Sequence, residues 1–310
     1  MPLETVELCA GAGGEALGLE RAGIGHACLV EVDQNACATL RANRPGWLVH
    51  EGDLREFDAR PFRGAALVSG GLPCPPYSVA GRQLGPADER DLFGHGLRVI
   101  EEVRPRAAMI ENVKGILSPR FAAVREGLSE NFRRLGYRVD WRLLNASSYG
   151  VPQLRPRVIF VALEIAHADR FSWPEPAENI APTVGSTLRD LMAAGGWEGA
   201  DAWAEGADGI APTLVGGSKL HGGPDLGPTR ARAAWAALGV DGRSVVENPP
   251  VSGFQGMPRL TVRMAARIQG FPDEWAFTGR RTAAYRQVAN AFPPPVAEAV
   301  GHQVRLALGG

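Results

Sequence analysis

The chain has 310 residues, 45% of them hydrophobic, with 39 glycines, 24 prolines and a formal net charge of −1. Such a composition can bury a large core, which excludes disordered and fibrous classes, and its near-neutral charge is no signature of a nucleic-acid binder. No run approaches the 18 apolar residues that a membrane helix needs, and the start, Met1 to Val6, lacks the basic and apolar regions of a signal peptide.

All four cysteines, Cys9, Cys28, Cys37 and Cys74, fall in the first quarter without the CxxC spacing of a zinc or redox pair. This predicts a reduced, cytoplasmic protein with no structural disulfide and no metal site. Only Lys114 and Lys219 among the 33 basic residues are lysines, so any phosphate or base contact must be mainly an arginine fork.

Residues 4–9 read as a strand that runs into a glycine turn, Ala10-Gly11-Ala12-Gly13-Gly14, and a helix is expected over about 15–22. A second strand at 26–31 ends in Glu31-Val32-Asp33 and leads to a helix at 34–43. Short apolar runs at 48–49, 65–68, 107–110 and 158–161 continue the alternation. Strand, turn and helix in this order predict an α/β fold with a parallel, doubly wound sheet whose ligands sit at the carboxyl ends of the strands. The turn fits G-x-G-x-x-G/A, and Glu31 lies 20 residues beyond Gly11, where an acidic side chain can take both ribose hydroxyls. Asp53, after the third strand, offers a carboxylate to an adenine amino group. Taken alone, the turn leaves dinucleotide binding, S-adenosylmethionine binding and tight packing equally open.

The next feature is Gly70-Gly71-Leu72-Pro73-Cys74-Pro75-Pro76-Tyr77-Ser78. Prolines this dense predict a rigid loop that projects Cys74, the most nucleophilic side chain once its proton is lost. Glu111, in Glu111-Asn112-Val113, is expected just after a strand and facing the same crevice as Cys74. Arg155 and Arg157 are two apart, so a strand would point both to one face.

Beyond Leu163 the texture changes. Residues 164–256 carry 12 acidic and 6 basic side chains, leaving the rest of the chain net positive, and they are rich in glycine and proline. Trp173, Trp197, Trp203 and Trp235 argue that this segment folds, with one helix expected at 229–238. A helical pattern returns from Leu260, and a closing helix is expected over 296–308.

In this order, these motifs resemble those of the DNA (cytosine-5) methyltransferase family over nearly the whole chain. The matching pieces are Glu7-Leu8-Cys9-Ala10-Gly11-Ala12-Gly13-Gly14, Glu31-Val32-Asp33, Gly52-Asp53, Pro73-Cys74, Arg90-Asp91-Leu92-Phe93 and Glu111-Asn112-Val113. The series continues with Gln153-Leu154-Arg155-Pro156-Arg157, Arg267-Ile268-Gln269-Gly270-Phe271-Pro272 and Gln287-Val288-Ala289-Asn290-Ala291-Phe292-Pro293. The resemblance implies a Rossmann-like sheet that binds S-adenosylmethionine, formed by 1–163 and completed by 257–310, with 164–256 as a smaller, loop-rich target-recognition domain.

It further implies Cys74 as the nucleophile toward C6 of cytosine, Glu111 as the acid at N3, and Arg155 and Arg157 at O2 and the adjoining phosphate, with Arg157 favoured for O2. Cofactor contacts are implied for Cys9, Ala10, Gly11, Ala12, Gly13, Gly14, Glu31, Val32, Asp53, Leu54, Pro73, Leu92, Asn290 and Ala291. Duplex DNA is the expected partner, contacted by Ser78, Arg82, Gln153, Lys219, Arg230 and Arg232, with a second basic cluster at Arg259, Arg263, Arg267, Arg280, Arg281 and Arg286. By analogy the chain is expected to be a monomeric bacterial modification enzyme, associated with a restriction endonuclease without direct contact.

Several departures from the family pattern stand out. Cys9 replaces a common phenylalanine, Pro75 a glutamine, Ala289 a glycine and Met264 a glutamate. None removes a reacting group, so an active enzyme is expected. A nicotinamide dehydrogenase would leave the Pro-Cys loop idle. An adenine N6-methyltransferase would need a polar acceptor that Cys74-Pro75-Pro76-Tyr77 lacks, and the transfer-RNA relative's Cys-Phe-Thr element is missing from 164–256.

Overall fold

The computed structural model describes residues 3–72, 92–177, 181–215 and 223–310. The described strands are β1 (Glu4–Leu8), β2 (Gly25–Glu31), β3 (Val49–Glu51), β4 (Leu67–Gly71), β5 (Ala107–Val113), β6 (Tyr137–Asn145), β7 (Gln153–Leu154), β8 (Pro156–Glu164) and β9 (Ala211–Pro212). The described helices are α1 (Gly14–Arg21), α2 (Gln34–Asn43), α3 (Phe93–Val103), α4 (Ala122–Arg134), α5 (Ile165–Ala168), α6 (Val184–Ala193), α7 (Ala200–Gly206), α8 (Thr229–Ala236), α9 (Val262–Ile268), α10 (Arg281–Asn290) and α11 (Pro294–Ala307). The chain forms two compact units: 1–144, 156–175 and 296–310 make the first, and 145–155 with 176–295 the second.

The first unit holds a seven-stranded sheet in the order β3-β2-β1-β4-β5-β8-β6. Strands β3 to β5 are parallel to their neighbours, but β8 runs antiparallel to β5, with Glu111 opposite Ile159 and Val113 opposite Arg157. The expected all-parallel sheet is therefore corrected at this edge. The short path from β6 through β7 into β8 has no helix long enough for a parallel crossover.

Both faces of the sheet are covered. On one, Val6, Leu8, Val30, Val68, Ile110 and Phe160 pack with Val99, Ile100, Leu128 and Phe132. Helix α3 supplies this face because Phe93, Gly96, Val99, Ile100 and Val103 recur at helical spacing. On the other, Ala16 and Leu40 pack on Leu29. Helix α11 lies against α1 so closely that a Cβ on Gly301 would meet Leu19 Cδ2 at 2.8 Å.

Helix α2 begins where Asp33 accepts from the N–H groups of Asn35 and Ala36, so the Glu31-Val32-Asp33 motif ends a strand and caps a helix at once. The left-handed turn at Gly13 (φ 84°) launches α1.

In the second unit β7 and β9 pair in parallel, and α6, α7, α9 and α10 pack together. Helices α6 and α7 touch at Gly185, where a Cβ would sit 1.9 Å from Ala204 O. Arg267 on α9 donates to Thr187 O at 3.0 Å and to Asp190 Oδ1 at 2.5 Å on α6. These contacts draw 257–295 into the same unit as most of 164–256, a different division from the expected boundaries at 163 and 256.

Among the described residues, no helix is long and apolar enough to cross a membrane, and Cys9, Cys28 and Cys37 are free thiols.

Candidate active site

The glycine turn and the end of β2 are joined by one side chain. Glu31 Oε2 accepts from Gly11 N at 2.7 Å, while Oε1 accepts from Val32 N at 2.8 Å and Asp33 N at 2.7 Å. Three short bonds to a buried carboxylate lock the turn, yet Oε2 keeps capacity for another donor. Gly11 has φ +55° and nothing within 4 Å of where a Cβ would stand, and the adjacent Val32 is 64% exposed. An open glycine cradle, a fixed carboxylate and an uncovered apolar side chain at the strand ends fit the ribose, adenine and methionine portions of S-adenosylmethionine. Ala10, Ala12 and Gly14 are buried in this turn, and Leu54 is buried beside it.

Cys9 enters the turn with φ 54°, an unusual conformation for a residue with a Cβ. Its thiol packs against the core, and burial, followed by the charges of Glu31 and Asp53, pushes its pKa far up. It is an inert wall. Asp53 Oδ1 accepts from Arg55 N at 2.9 Å, and both its oxygens accept from Arg55 Nε at 3.0 Å. Those bonds hold the Asp53 carboxyl down at about 2, so it is anionic but already engaged by a residue not expected here. Leu92 caps the start of α3 and packs against the core.

Glu111 is within β5, two residues before its end, where a position just after the strand was expected. Arg157 on β8 is diagonal to it, and its Nε is 2.6 Å from Glu111 Oε1, both side chains about 15% exposed. Strand register alone builds this pair, since residues two apart on adjacent antiparallel strands share a face. A Cβ on Gly71, paired with Glu111 across β4, would come 3.2 Å from Glu111 Oε2.

Arg155 does not share that face. It lies between β7 and β8, 1% exposed, and donates to Leu214 O at 2.9 Å, Ala289 O at 2.7 Å and Ala291 O at 3.1 Å. Its guanidinium pins three carbonyls of the second unit, an anchoring role that the sequence reading did not foresee. Gln153, expected at DNA, is likewise fully buried. It accepts from Leu214 N at 2.9 Å and donates to Gln269 Oε1 at 2.6 Å. Ala291 is the acceptor in this network, while Asn290 ends α10 with its side chain exposed.

The expected basic cluster is largely neutralised by partners. Arg259 pairs with Asp241 at 2.8 Å, Arg263 with Asp273 at 3.6 Å, Arg281 with Glu247 at 3.5 Å, and Arg267 with Asp190 and Asp273. Arg230 is exposed on α8. Arg232 lines a cleft of about 890 Å³ with Arg243, Asn248, Phe254 and Met257. Pro73, Cys74, Ser78, Arg82 and Lys219 lie outside the described residues.

Two departures find reasons here. Met264 Sδ accepts from Thr261 N at 3.4 Å while Thr261 Oγ1 accepts from Met264 N, so sulfur fills the place a glutamate would take in a capping box. Ala289 sits inside α10, where no positive φ is required.

Sequence reasoning passed over Glu7 and Glu15, buried carboxyls at 0% and 4% exposure. The signal was available: Glu7 lies between Val6 and Leu8 on a strand of the predicted sheet, and Glu15 follows the glycines directly.

The C-5 cytosine-specific DNA methylase family matches the chain over residues 3–219 and 234–305. The chain belongs to this family. The Type II methyltransferase M.NaeI of Lentzea aerocolonigenes is 55% identical over 99% of this chain and 75% of its own length. M.NgoMIV of Neisseria gonorrhoeae is 51% identical over 99% of both. Two solved structures share the fold: the S. pombe Dnmt2 methyltransferase (TM-score 0.67, 20% identity, 99% of this chain and 100% of that one) and Entamoeba histolytica EhMeth (TM-score 0.69, 12% identity, 100% of both). This methylase is thus a DNA cytosine-5 methyltransferase with S-adenosylmethionine as methyl donor.

Proposed function

We propose that this methylase modifies C5 of a cytosine flipped out of a specific duplex sequence, through a transient Cys74–C6 bond, as the modification arm of a bacterial Type II restriction system. The likeness to two Type II methyltransferases at more than 50% identity, one matched along 99% of its length, carries the biological assignment. Residues 164–256 supply target recognition, with Arg230, Arg232 and Lys219 toward DNA. The enzyme works as a cytoplasmic monomer.

The Glu111–Arg157 pair at 2.6 Å carries the chemical one. The Cys74 thiolate adds to C6, and electrons of the C5–C6 double bond move into the ring toward N3. Glu111 gives its carboxyl proton to N3, and the resulting carboxylate is met by Arg157, which also faces O2. The charge that would otherwise build on the ring is thereby quenched. C5 becomes an enamine carbon. When bound, S-adenosylmethionine supplies the electrophilic methyl group, held by the glycine turn, Glu31, Val32, Leu54, Leu92 and Pro73. Once C5 is methylated, its proton leaves to solvent, the S–C6 bond breaks to restore the double bond, and the N3 proton returns to Glu111. Neither carbon is reachable in a stacked duplex, so the base must leave the helix at a cost of a few kcal/mol.

Bisulfite sequencing of plasmid recovered from cells that express the wild type or Cys74→Ser tests this. Protected cytosines at one sequence motif are expected only with the wild type. Equal protection with Cys74→Ser, or none with either, overturns the reading. A separate arm uses 5-fluorocytosine DNA with methyl donor, which should stay covalently attached at Cys74.

A further inference from the structure

The cleft of about 890 Å³ lies wholly within the second unit, and its lining gathers basic side chains in an otherwise acidic stretch. Residues 164–256 carry 6 basic side chains against 12 acidic ones, yet Arg232 and Arg243 both line this cleft, and Arg259 joins them. Among the described residues of the lining, Asp241 alone is acidic. Three guanidiniums against one carboxylate leave the cleft positive, which suits the polyanion that a DNA methylase must hold.

Two of these arginines are fixed in place. Asp241, 11% exposed, accepts from Arg243 Nε at 2.9 Å and Nη2 at 2.8 Å, and from Arg259 Nε at 2.8 Å. Arg259 also donates through Nη1 to Ser244 Oγ at 3.2 Å, so its part is to clamp the carboxylate. Arg243, by contrast, stays 71% exposed. A Cβ on Gly242, between Asp241 and Arg243, would come 3.1 Å from Arg232 Cγ, so the Arg232 stem runs beside the fork.

A guanidinium is a rigid fork of five N–H donors, and the bonds to Asp241 occupy its Nε–Nη2 edge. The Nη1–Nη2 edge is left, and two parallel donors there match O6 and N7 of guanine in the major groove. A phosphate can be met from many directions, whereas a base edge needs the plane of the fork set in advance. Asp53–Arg55 and Asp58–Arg60 repeat the Asp-x-Arg spacing with similar bonds, so the spacing alone carries nothing. Asp241 differs in taking a second arginine from 18 residues away and in lining a positive cleft. An ion pair this exposed adds little to stability, so its main effect is to aim Arg243.

We propose that Arg243 reads a guanine of the target sequence through its Nη1–Nη2 edge, and that Asp241 is a positioning residue that holds the fork for it. This role rests on the reading of residues 164–256 as target-recognising, and it adds which side chain discriminates and which base it selects.

Bisulfite sequencing supplies the target motif. Methyl transfer is then measured on duplexes of that motif carrying 7-deazaguanine, which lacks the N7 acceptor, at each guanine in turn. The wild type should lose about 10-fold in kcat/KM at one guanine or more. Arg243→Ala should lose about 10- to 100-fold on the unmodified duplex, lose nothing further from 7-deazaguanine at one of those positions, and accept other base pairs there. Asp241→Asn should relax the same position with a smaller loss, whereas a merely structural role would depress every duplex alike. Binding of S-adenosylmethionine by titration calorimetry should be unchanged in both. A uniform loss in Arg243→Ala with the salt slope of DNA binding reduced by about one marks a phosphate contact and overturns the guanine assignment, as does a wild-type profile. In either case a shifted target choice in Arg232→Ala or Lys219→Ala leaves the underlying reading standing, and unchanged choice in both removes it as well. If Asp241→Asn does not fold, Arg243→Lys decides, since it keeps the charge without the fork and should match Arg243→Ala at that guanine.

Discussion

Replacing Arg155 by methionine separates a structural anchor from a base-contacting arginine. Methionine fills much of the same volume but leaves the carbonyls of Leu214, Ala289 and Ala291 without their donor. Hydrogen bonds to a charged group contribute about 1.5–3 kcal/mol each, and relief from burying the guanidinium returns part of that sum. The expected net loss is about 3–5 kcal/mol, the range for breaking a buried charged network. At roughly 3 °C per kcal/mol for a domain of this size, the second unit should melt about 9–15 °C lower. Four of the seven tryptophans, Trp197, Trp203, Trp235 and Trp275, belong to that unit, so an early fluorescence transition of partial amplitude in a thermal or urea titration reports it. Arg155→Lys, which keeps the charge but loses the fork, should fall between methionine and wild type. A shift under 2 °C combined with a large loss of DNA affinity would refute the anchor and reinstate a direct contact.

Gly70→Ala should be severe, since its Cβ would meet Leu8 O at 2.2 Å with φ at +153°; a loss of about 3 kcal/mol or more in the urea midpoint is expected. Arg157→Gln should lower kcat by roughly 10²–10³ with KM for DNA little changed, measured by steady-state methyl transfer. Glu7 has a folded-state pKa of about 8, raised from 4.5 by burial, so its contribution to stability is complete below pH 4.5 and is lost as the pH rises through 8. Glu7→Gln should therefore gain stability over wild type at pH 8.5 and not at pH 4.5, as read from urea unfolding. Arg232→Ala should relax or weaken target choice in sequencing of methylated plasmid while cofactor affinity is retained.

Much of the first unit could be read from local pattern. Alternating apolar runs and glycine punctuation located β1, α1, β2 and α2 to within a residue or two, because parallel strands and their crossover helices are each defined by short-range periodicity. The 20-residue interval from Gly11 to Glu31 holds as a contact of 2.7 Å for the same reason: one strand-turn-helix-strand unit has a nearly constant length. The antiparallel turn of β8 was missed because strand direction depends on what lies between strands in space, and a run such as Val158 to Val161 reads alike either way. Arg155 and Arg157 show the limit most plainly. Two residues apart, they were read as a pair, yet the backbone leaves strand geometry between them, and one anchors carbonyls while the other meets Glu111.

What the order of residues determined by itself was the family, the glycine cradle and the sheet that carries it, and it named the groups proposed to react, since these are coded by residue type and spacing. Tertiary structure alone decided which of those groups are paired, buried or already engaged. It tied Asp53 to Arg55, spent most of the arginine cluster on internal carboxylates, and gathered Glu7, Glu15 and Glu111 on one face. Charge and protonation depend on the distance to other charges and to water, and those distances exist only once the chain has folded.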